Sequence, residues 1–106
     1  MVHHIENNQI NEEVLKNKEK LVVVNFFATW CMPCQMLAPI LAEVSEKYND
    51  GVEFYKVNVD ENQDSAIRYG VESVPTLIFF KDGIEVERQV GLLEEAELNK
   101  MIEELK

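Results

Sequence analysis

The chain has 106 residues, 46% of them hydrophobic, and a formal net charge of −10. This length suits one modest hydrophobic core, so we expect residues 1–106 to form a single domain. A surface this acidic favours solubility or attraction of basic partners, and it argues against nucleic-acid and membrane binding.

The start of the chain lacks the basic residues and the apolar run of a secretory signal, so we expect a cytoplasmic protein. No stretch of the sequence approaches the roughly 20 consecutive apolar residues that cross a bilayer. Residues 2–5 are predicted to form a short first strand. Residues 9–16 are predicted to form a helix, because Ile10, Val14 and Leu15 recur on one side.

Residues 21–28 are almost continuously apolar and rich in β-branched and aromatic side chains. This pattern predicts a central strand that is covered on both faces. A helix is predicted over residues 34–48, where apolar residues recur at helical spacing. Pro39 lies inside this segment and should kink it, because the ring removes a backbone donor.

The second half of the chain continues the alternation of strands and helices. Strands are predicted over residues 52–59, 76–81 and 84–90, and helices over residues 60–69 and 94–105. Gly70 closes the first of these helices, and Asp82-Gly83 predicts a hairpin turn. Residues 84–90 alternate apolar and polar side chains, as in a strand with one wet face. Together these segments predict a layered α/β domain.

The two cysteines, Cys31 and Cys34, are separated by two residues. A bridge this short removes little entropy from the unfolded chain, which leaves redox chemistry or metal binding as its purpose. The pair falls where the central strand meets the helix, and unpaired N–H groups there stabilise a thiolate. Pro33 suits a first helical turn because it lacks an N–H. We interpret Cys31 as the nucleophile and Cys34 as the resolving cysteine that attacks a mixed disulfide.

A metal site is the alternative use of the cysteines. Structural zinc takes four ligands, and His3 and His4, which we interpret as exposed terminal residues, are the remaining soft candidates. Gln35 follows Cys34 where a c-type haem motif needs histidine. The sequence also lacks the G-x-G-x-x-G fingerprint of dinucleotide binding. We therefore predict no metal and no cofactor other than the redox-active disulfide.

Residues 24–41 (VNFFATWCMPCQMLAPIL) resemble the active-site segment of the thioredoxin family. Four further segments are similar in order and spacing, namely residues 56–60 (KVNVD), 69–71 (YGV), 74–77 (VPTL) and 81–83 (KDG). The resemblance covers essentially the whole chain. It implies an α/β thioredoxin fold, with four helices around a five-stranded mixed sheet of order 1-3-2-4-5. It also implies that the last two strands run antiparallel to the rest.

The resemblance implies a thiol–disulfide oxidoreductase that reduces disulfides in target proteins and serves electron transport and cell redox homeostasis. It implies a thioredoxin reductase as partner, itself supplied by NADPH or ferredoxin, and we expect a monomer. Two other functions use the same residues. One is a binding module without electron transfer. The other is an oxidant or isomerase, against which the missing signal peptide and Pro33 argue.

Pro75 matches the cis-proline of the family, which faces the cysteines across a groove; the alternative is a trans proline that opens a strand. The backbone of Val74 would pair with an extended substrate segment. The resemblance also places an exposed apolar patch around the disulfide, and such patches mark interaction sites. We expect the substrate-binding residues to be Trp30, Met32, Pro33, Val71, Val74, Pro75, Gly91 and Leu92.

Two residues depart from the family pattern. Met32 stands where the family typically has glycine, and the pair between the cysteines tunes the redox potential. Asn25 stands where the family usually has a buried aspartate, and an amide is not a general base. Our hypothesis is that water deprotonates Cys34 here, helped by Lys56, which matches a lysine of the family. The alternative is that Asn25 fills a strand position and hydrogen-bonds locally, which avoids the cost of a buried carboxylate.

Overall fold

The computed structural model describes residues 1–106, apart from the side chain of Asn11. Its five strands are β1 (Val2–His4), β2 (Leu21–Phe27), β3 (Val52–Asn58), β4 (Thr76–Lys81) and β5 (Ile84–Val90). Its helices are α1 (Met32–Lys47), α2 (Gln63–Arg68) and α3 (Glu95–Leu105). A fourth helical segment combines a 3-10 turn (Asn7–Gln9) with a π-helical turn (Asn11–Leu15). Among the described residues, no helix is both long and apolar enough to cross a bilayer.

The strands form one mixed sheet in the order β1-β3-β2-β4-β5, which confirms the expected order. Strands β1, β3 and β2 are parallel, and β4 pairs with β2 in the antiparallel sense. Strand β5 is antiparallel to β4, so it runs in the same direction as β1, β2 and β3. The expectation that the last two strands both oppose the rest is therefore wrong. The tight turn at Asp82 (φ 54°) and Gly83 (φ 76°) reverses the chain a second time.

The central strand β2 is buried on both faces, as its continuous apolar sequence predicts. Leu21 and Val23 pack with α1 and α3 on one face of the sheet. Val22, Val24 and Phe26 pack on the opposite face, together with apolar residues of the N-terminal helical segment. Because β2 is held between two cores, its carboxyl end gives the cysteines a rigid support.

Helix α1 begins at Met32, two residues earlier than predicted. Cys31 is its N-cap, and the Cys31 sulfur accepts a hydrogen bond from the Cys34 backbone N–H at 3.2 Å. Pro33 sits in the first turn, where its missing N–H leaves nothing unsatisfied. Pro39 lies inside the helix, as expected. The earlier start follows from the cap, because the sulfur satisfies an amide that would otherwise lack a partner.

The N-terminal helical segment is not the regular α-helix predicted over residues 9–16. It begins earlier, because the Glu6 N–H donates to the Gln9 side chain at 2.8 Å in a capping box. Asparagines are frequent here, and they favour turns over regular helix. Ile10 and Val14 are nevertheless buried against the sheet, as their spacing predicts.

Asn7 ties this segment to the start of α2. The Asn7 N–H donates to Asn62 Oδ1 at 2.8 Å, and the Ser65 N–H donates to Asn7 Oδ1 at 3.1 Å. The Asn62 side-chain amide donates to the Asn58 carbonyl at 2.9 Å, which continues the network to the end of β3. The first residues of the chain therefore hold the amino end of α2 in place.

Strand β5 lies at the edge of the sheet, and its apolar residues do not face a core. Ile84, Val86 and Val90 are exposed, so the prediction of a strand with only one wet face is wrong. The strand has a neighbour on one side only, and its register shifts beside Phe79 and Phe80. The alternation of apolar and polar residues in β5 therefore does not correspond to one buried and one exposed face.

Candidate active site

Cys31 and Cys34 form a disulfide between the end of β2 and the first turn of α1, with their Cα atoms 5.2 Å apart. Both residues are only 4% exposed. Besides the Cys34 N–H on the Cys31 sulfur, the Gln35 N–H donates to the Cys31 carbonyl at 3.1 Å. In the reduced protein, the same helix start would stabilise negative charge on the Cys31 sulfur.

Trp30 and Met32 flank the buried disulfide and are themselves 70% and 64% exposed. The Trp30 indole Nε1 donates to Asp60 Oδ2 at 2.8 Å, which fixes the ring beside the site. Sequence reasoning did not assign Asp60 a role. The available signal was its position two residues after β3, at the end of the KVNVD segment.

The Val74–Pro75 peptide bond is cis, which confirms the prediction for Pro75. The Val74 carbonyl oxygen lies 3.6 Å from the Cys31 sulfur. The Pro75 carbonyl accepts the Gly91 N–H at 2.8 Å, and Gly91 has a φ of 94° that favours glycine. No described atom lies near the position of a Cβ at Gly91, so the rim of the site is low there.

An open groove of about 590 Å³, here called the docking groove, runs from Trp30 toward α2. Its lining consists of Trp30, Val59, Gln63, Ala66, Ile67, Val71, Glu72, Ser73 and Val74. Of the expected patch, Trp30, Val71 and Val74 line this groove, whereas Met32, Gly91 and Leu92 lie outside its lining. Leu92 and Met32 are exposed beside the site, and Gly91 follows β5.

Sequence reasoning missed the wall of the docking groove that α2 contributes. Ile67 on this helix is 78% exposed, and Ala66 and Val59 lie beside it in the groove lining. A helix of six residues is too short for hydrophobic periodicity to separate core positions from exposed ones. An exposed isoleucine therefore had no distinguishing signal in the sequence.

Asn25 and Lys56 pair in register between β2 and β3 and line a second cavity of about 500 Å³, here called the inner cavity. Ala38, one helical turn after Cys34, also lines it. Asn25 is 5% exposed, and its Oδ1 accepts no hydrogen bond from the described residues. The Asn25 side-chain oxygen therefore makes no local hydrogen bond of the kind that the alternative for this residue invokes.

Away from the cysteines, the described residues bring three metal-ligating side chains together. Ligand atoms of His4, Glu6 and Glu61 lie within 4.8 Å of one another, and all three residues are exposed. His4 pairs in register with Lys56, so a cationic side chain neighbours the group. Because these three side chains are exposed and a lysine lies beside them, they are poorly suited to bind a metal cation.

Comparison with known proteins gives a consistent result. The Thioredoxin family model matches residues 1–104. The chain is 48% identical to Thioredoxin-2 of Saccharomyces cerevisiae over 91 residues, which are 86% of each protein. It is 41% identical to thioredoxin of Bacillus subtilis over 87 residues, covering 82% of this chain and 84% of that protein. It is 39% identical to thioredoxin of Rickettsia typhi over 98 residues, or 92% of each. The chain therefore belongs to the thioredoxin family of thiol–disulfide oxidoreductases.

Proposed function

We propose that this protein works in the cytoplasm as a monomeric, single-domain electron carrier, with Cys31 as the nucleophile and Cys34 as the resolving cysteine. The observation that carries this assignment is the N-cap of α1. Cys31 holds that position and its sulfur accepts the Cys34 N–H, whereas Cys34 lies inside the first turn. The sulfur nearest the positive end of the helix is the one that ionises most readily.

The reaction consists of two exchanges. The Cys31 thiolate attacks one sulfur of a target disulfide, a Cys31–target disulfide forms, and the other target sulfur leaves as a thiolate. The Cys34 thiolate then attacks the Cys31 sulfur and expels the second target thiolate. Two electrons pass to the target, which takes up two protons, and the Cys31–Cys34 disulfide remains.

Substrate binding is assigned to the backbone of Val74 and to the docking groove. Val74 is suited to pair with an extended target segment, because its carbonyl lies 3.6 Å from the Cys31 sulfur. The groove offers apolar side chains to a residue that flanks the target cysteine. Met32, Pro33, Pro75, Gly91 and Leu92 complete the proposed contact surface around the disulfide.

Proton transfer to and from Cys34 is assigned to water in the inner cavity. Asn25 cannot take a proton, but it lines the cavity, and its buried Oδ1 has no hydrogen-bond partner among the described residues. Lys56 lines the same cavity and pairs in register with Asn25. Water in this cavity is the proposed base for Cys34.

The oxidised dithiol is proposed to be reduced again by a thioredoxin reductase that draws on NADPH or ferredoxin. The only redox group assigned to the chain is the Cys31–Cys34 pair, and no metal or nucleotide is assigned. The partners are thus the reductase and proteins that carry accessible disulfides. Nucleic acids and membranes are not proposed as partners, since the net charge of −10 repels both.

The test is reduction of insulin disulfides, first with dithiothreitol as donor and then with NADPH-linked and ferredoxin-linked reductases. Wild type should accelerate the reaction with dithiothreitol and with one of the reductases, and Cys31→Ser should not. Equilibration with glutathione sets the direction of transfer. A potential well above that of the cytosol would contradict a reducing role and favour an oxidant.

A further inference from the structure

We propose that Arg88 is a positioning residue that fixes the substrate-binding loop between α2 and β4, here called the cis-proline loop (residues 69–75). Arg88 lies on the edge strand β5 and touches neither the disulfide nor the docking groove. The inference deepens the proposed function and rests on the docking role assigned there to this loop.

The guanidinium of Arg88 makes four hydrogen bonds. Its Nη2 donates to the Tyr69 carbonyl at 2.7 Å, and its Nη1 donates to the Gly70 carbonyl at 3.3 Å. Its Nε and Nη2 donate to the two carboxylate oxygens of Glu85, each at 2.9 Å. A planar guanidinium that is held on one side by a carboxylate presents its remaining donors in a fixed direction.

Strand β5 and Gly91, the residue that follows it, hold both ends of the cis-proline loop. Arg88 holds the Tyr69 and Gly70 carbonyls at one end, and the Gly91 N–H donates to the Pro75 carbonyl at 2.8 Å at the other. Between these anchors lie Val71 to Val74, which line the docking groove. The loop leaves α2 through Gly70, whose φ of 64° is a conformation that few other residues adopt.

This arrangement gives a purpose to a strand that contributes little to the core. The Arg88 side chain is 29% exposed and that of Glu85 is 37% exposed, so the pair adds little to global stability. Its geometric effect is larger, because it places the loop whose Val74 carbonyl lies beside the Cys31 sulfur. Because the loop is already ordered, binding a target segment costs less conformational entropy than it would with a mobile loop.

The experiment compares Arg88→Met with wild type. The matched control is Lys81→Met, which also removes one positive charge. The Lys81 ammonium donates to the Leu105 carbonyl at 3.0 Å, far from the cis-proline loop. Amide hydrogen exchange at Gly70 and Val71 should accelerate about tenfold or more in Arg88→Met and stay unchanged in the control. The KM for insulin should rise about five- to tenfold, as expected when several loop residues must be ordered on binding.

Two readouts separate positioning from a general structural role. The kcat for insulin should stay within about twofold of wild type, and so should the rate with the small disulfide dithiobisnitrobenzoate, because neither depends on an ordered docking loop. Arg88→Lys should fall between wild type and Arg88→Met, since an ammonium cannot bond Glu85 and two carbonyls at once. Glu85→Gln, which keeps the arginine, gives a milder variant if Arg88→Met fails to fold.

The outcomes distinguish this proposal from the proposed function. Unchanged exchange at Gly70 and Val71 in Arg88→Met overturns the positioning role, whatever the activity. Faster exchange with an unchanged KM overturns it too, because the loop would then need no fixing. If wild type does not reduce insulin at all, the proposed function fails, while the exchange data still decide whether Arg88 holds the loop.

Discussion

The two cavities near the dithiol differ in the side chains that line them. The docking groove is open, lies outside the disulfide and is lined by exposed apolar residues such as Trp30 and Ile67. The inner cavity lies against α1; most of its lining is apolar, but it also includes the buried Asn25 and the half-buried Lys56. The first suits a protein segment, and the second suits water and a proton.

This difference teaches that the two cysteines are unequal although both are 4% exposed. Cys31 is next to the carbonyl of Val74 at the groove, while the inner cavity extends beneath the helix that carries Cys34. Access therefore does not follow from the exposed fraction of each cysteine. We propose that it follows from what each sulfur meets, a target protein at Cys31 and a proton route at Cys34.

The largest expected effect comes from removing one sulfur at a time. Cys34→Ser should accumulate a stable Cys31–target disulfide, and turnover should fall to the uncatalysed rate, because nothing expels the second target thiolate. Cys31→Ser should lose turnover without forming this adduct. Mass spectrometry after mixing with oxidised insulin measures both. An adduct on Cys34 in the Cys31→Ser protein would show that Cys34 attacks targets. It would contradict the assignment of Cys31 as the nucleophile beside the docking groove.

Asn25→Asp should sharpen the contrast by placing a base in the inner cavity. We expect resolution of the mixed disulfide to become about tenfold faster or more at neutral pH, since a positioned general base typically contributes 10²–10⁴-fold. A new titration should also appear in the rate profile. Stopped-flow measurement of the Cys34 step across pH tests both expectations.

The control for this substitution is Asn58→Asp, which alters another buried asparagine that does not line the inner cavity. If Asn25→Asp changes neither the rate nor its pH dependence, or if Asn58→Asp changes them equally, the inner cavity is not the proton route of Cys34.

Ile67→Ser tests the docking groove from its α2 wall. Partial burial of this side chain by a target segment is worth about 1 kcal/mol, so the KM for insulin should rise about three- to fivefold. Stability should change by less than about 0.5 kcal/mol, because Ile67 is 78% exposed. Ile84→Ser, at a 66% exposed isoleucine of β5, is the matched control. Equal effects of the two substitutions would remove α2 from the binding surface.

The smallest expected effect concerns the pH dependence of the ion pair between Glu85 and Arg88 on β5. The hydrogen bonds from Arg88 hold the pKa of Glu85 below its ordinary value. The carboxylate therefore stabilises the fold above about pH 4.3, the value for glutamate in an unfolded chain, and this contribution disappears as pH falls through the folded pKa. Its size is at most about 1 kcal/mol because the pair is partly exposed.

Thermal unfolding of wild type and Glu85→Gln across pH measures this contribution. The two melting temperatures should differ near neutral pH and converge in acid. Glu104→Gln, which removes an exposed carboxylate of α3, is the matched control. A difference between wild type and Glu85→Gln that persists unchanged in acid would mean that the carboxylate charge is not its source.

Local patterns in the sequence predicted the features that depend on local physics. The apolar run of β2 identified a strand buried on both faces, and its junction with α1 located Cys31 at a helix start. The segment around Pro75, through its resemblance to the family, predicted the cis peptide bond. These features are determined by residues that are close together in the chain.

Features that join distant segments escaped prediction. The direction and exposure of β5 depend on its place at the sheet edge, which alternation along the strand does not encode. The bond from Trp30 to Asp60 joins residues 30 positions apart, and the α2 wall of the groove depends on how a short helix packs. The orphaned Oδ1 of Asn25 likewise depends on what the fold places around it.

The tie between Asn7 and α2 sets a limit on engineering at the amino terminus. Trimming the chain past residue 7 would remove the N–H that donates to the side chain of Asn62, which is 1% exposed. It would also leave the Ser65 N–H without its acceptor. Because α2 has only six residues, its own hydrogen bonds stabilise it little, and we expect it to become less ordered when these contacts are removed. Fusion partners ahead of the exposed Met1 should be tolerated, whereas shortened versions should lose target affinity before they lose the reactivity of the dithiol.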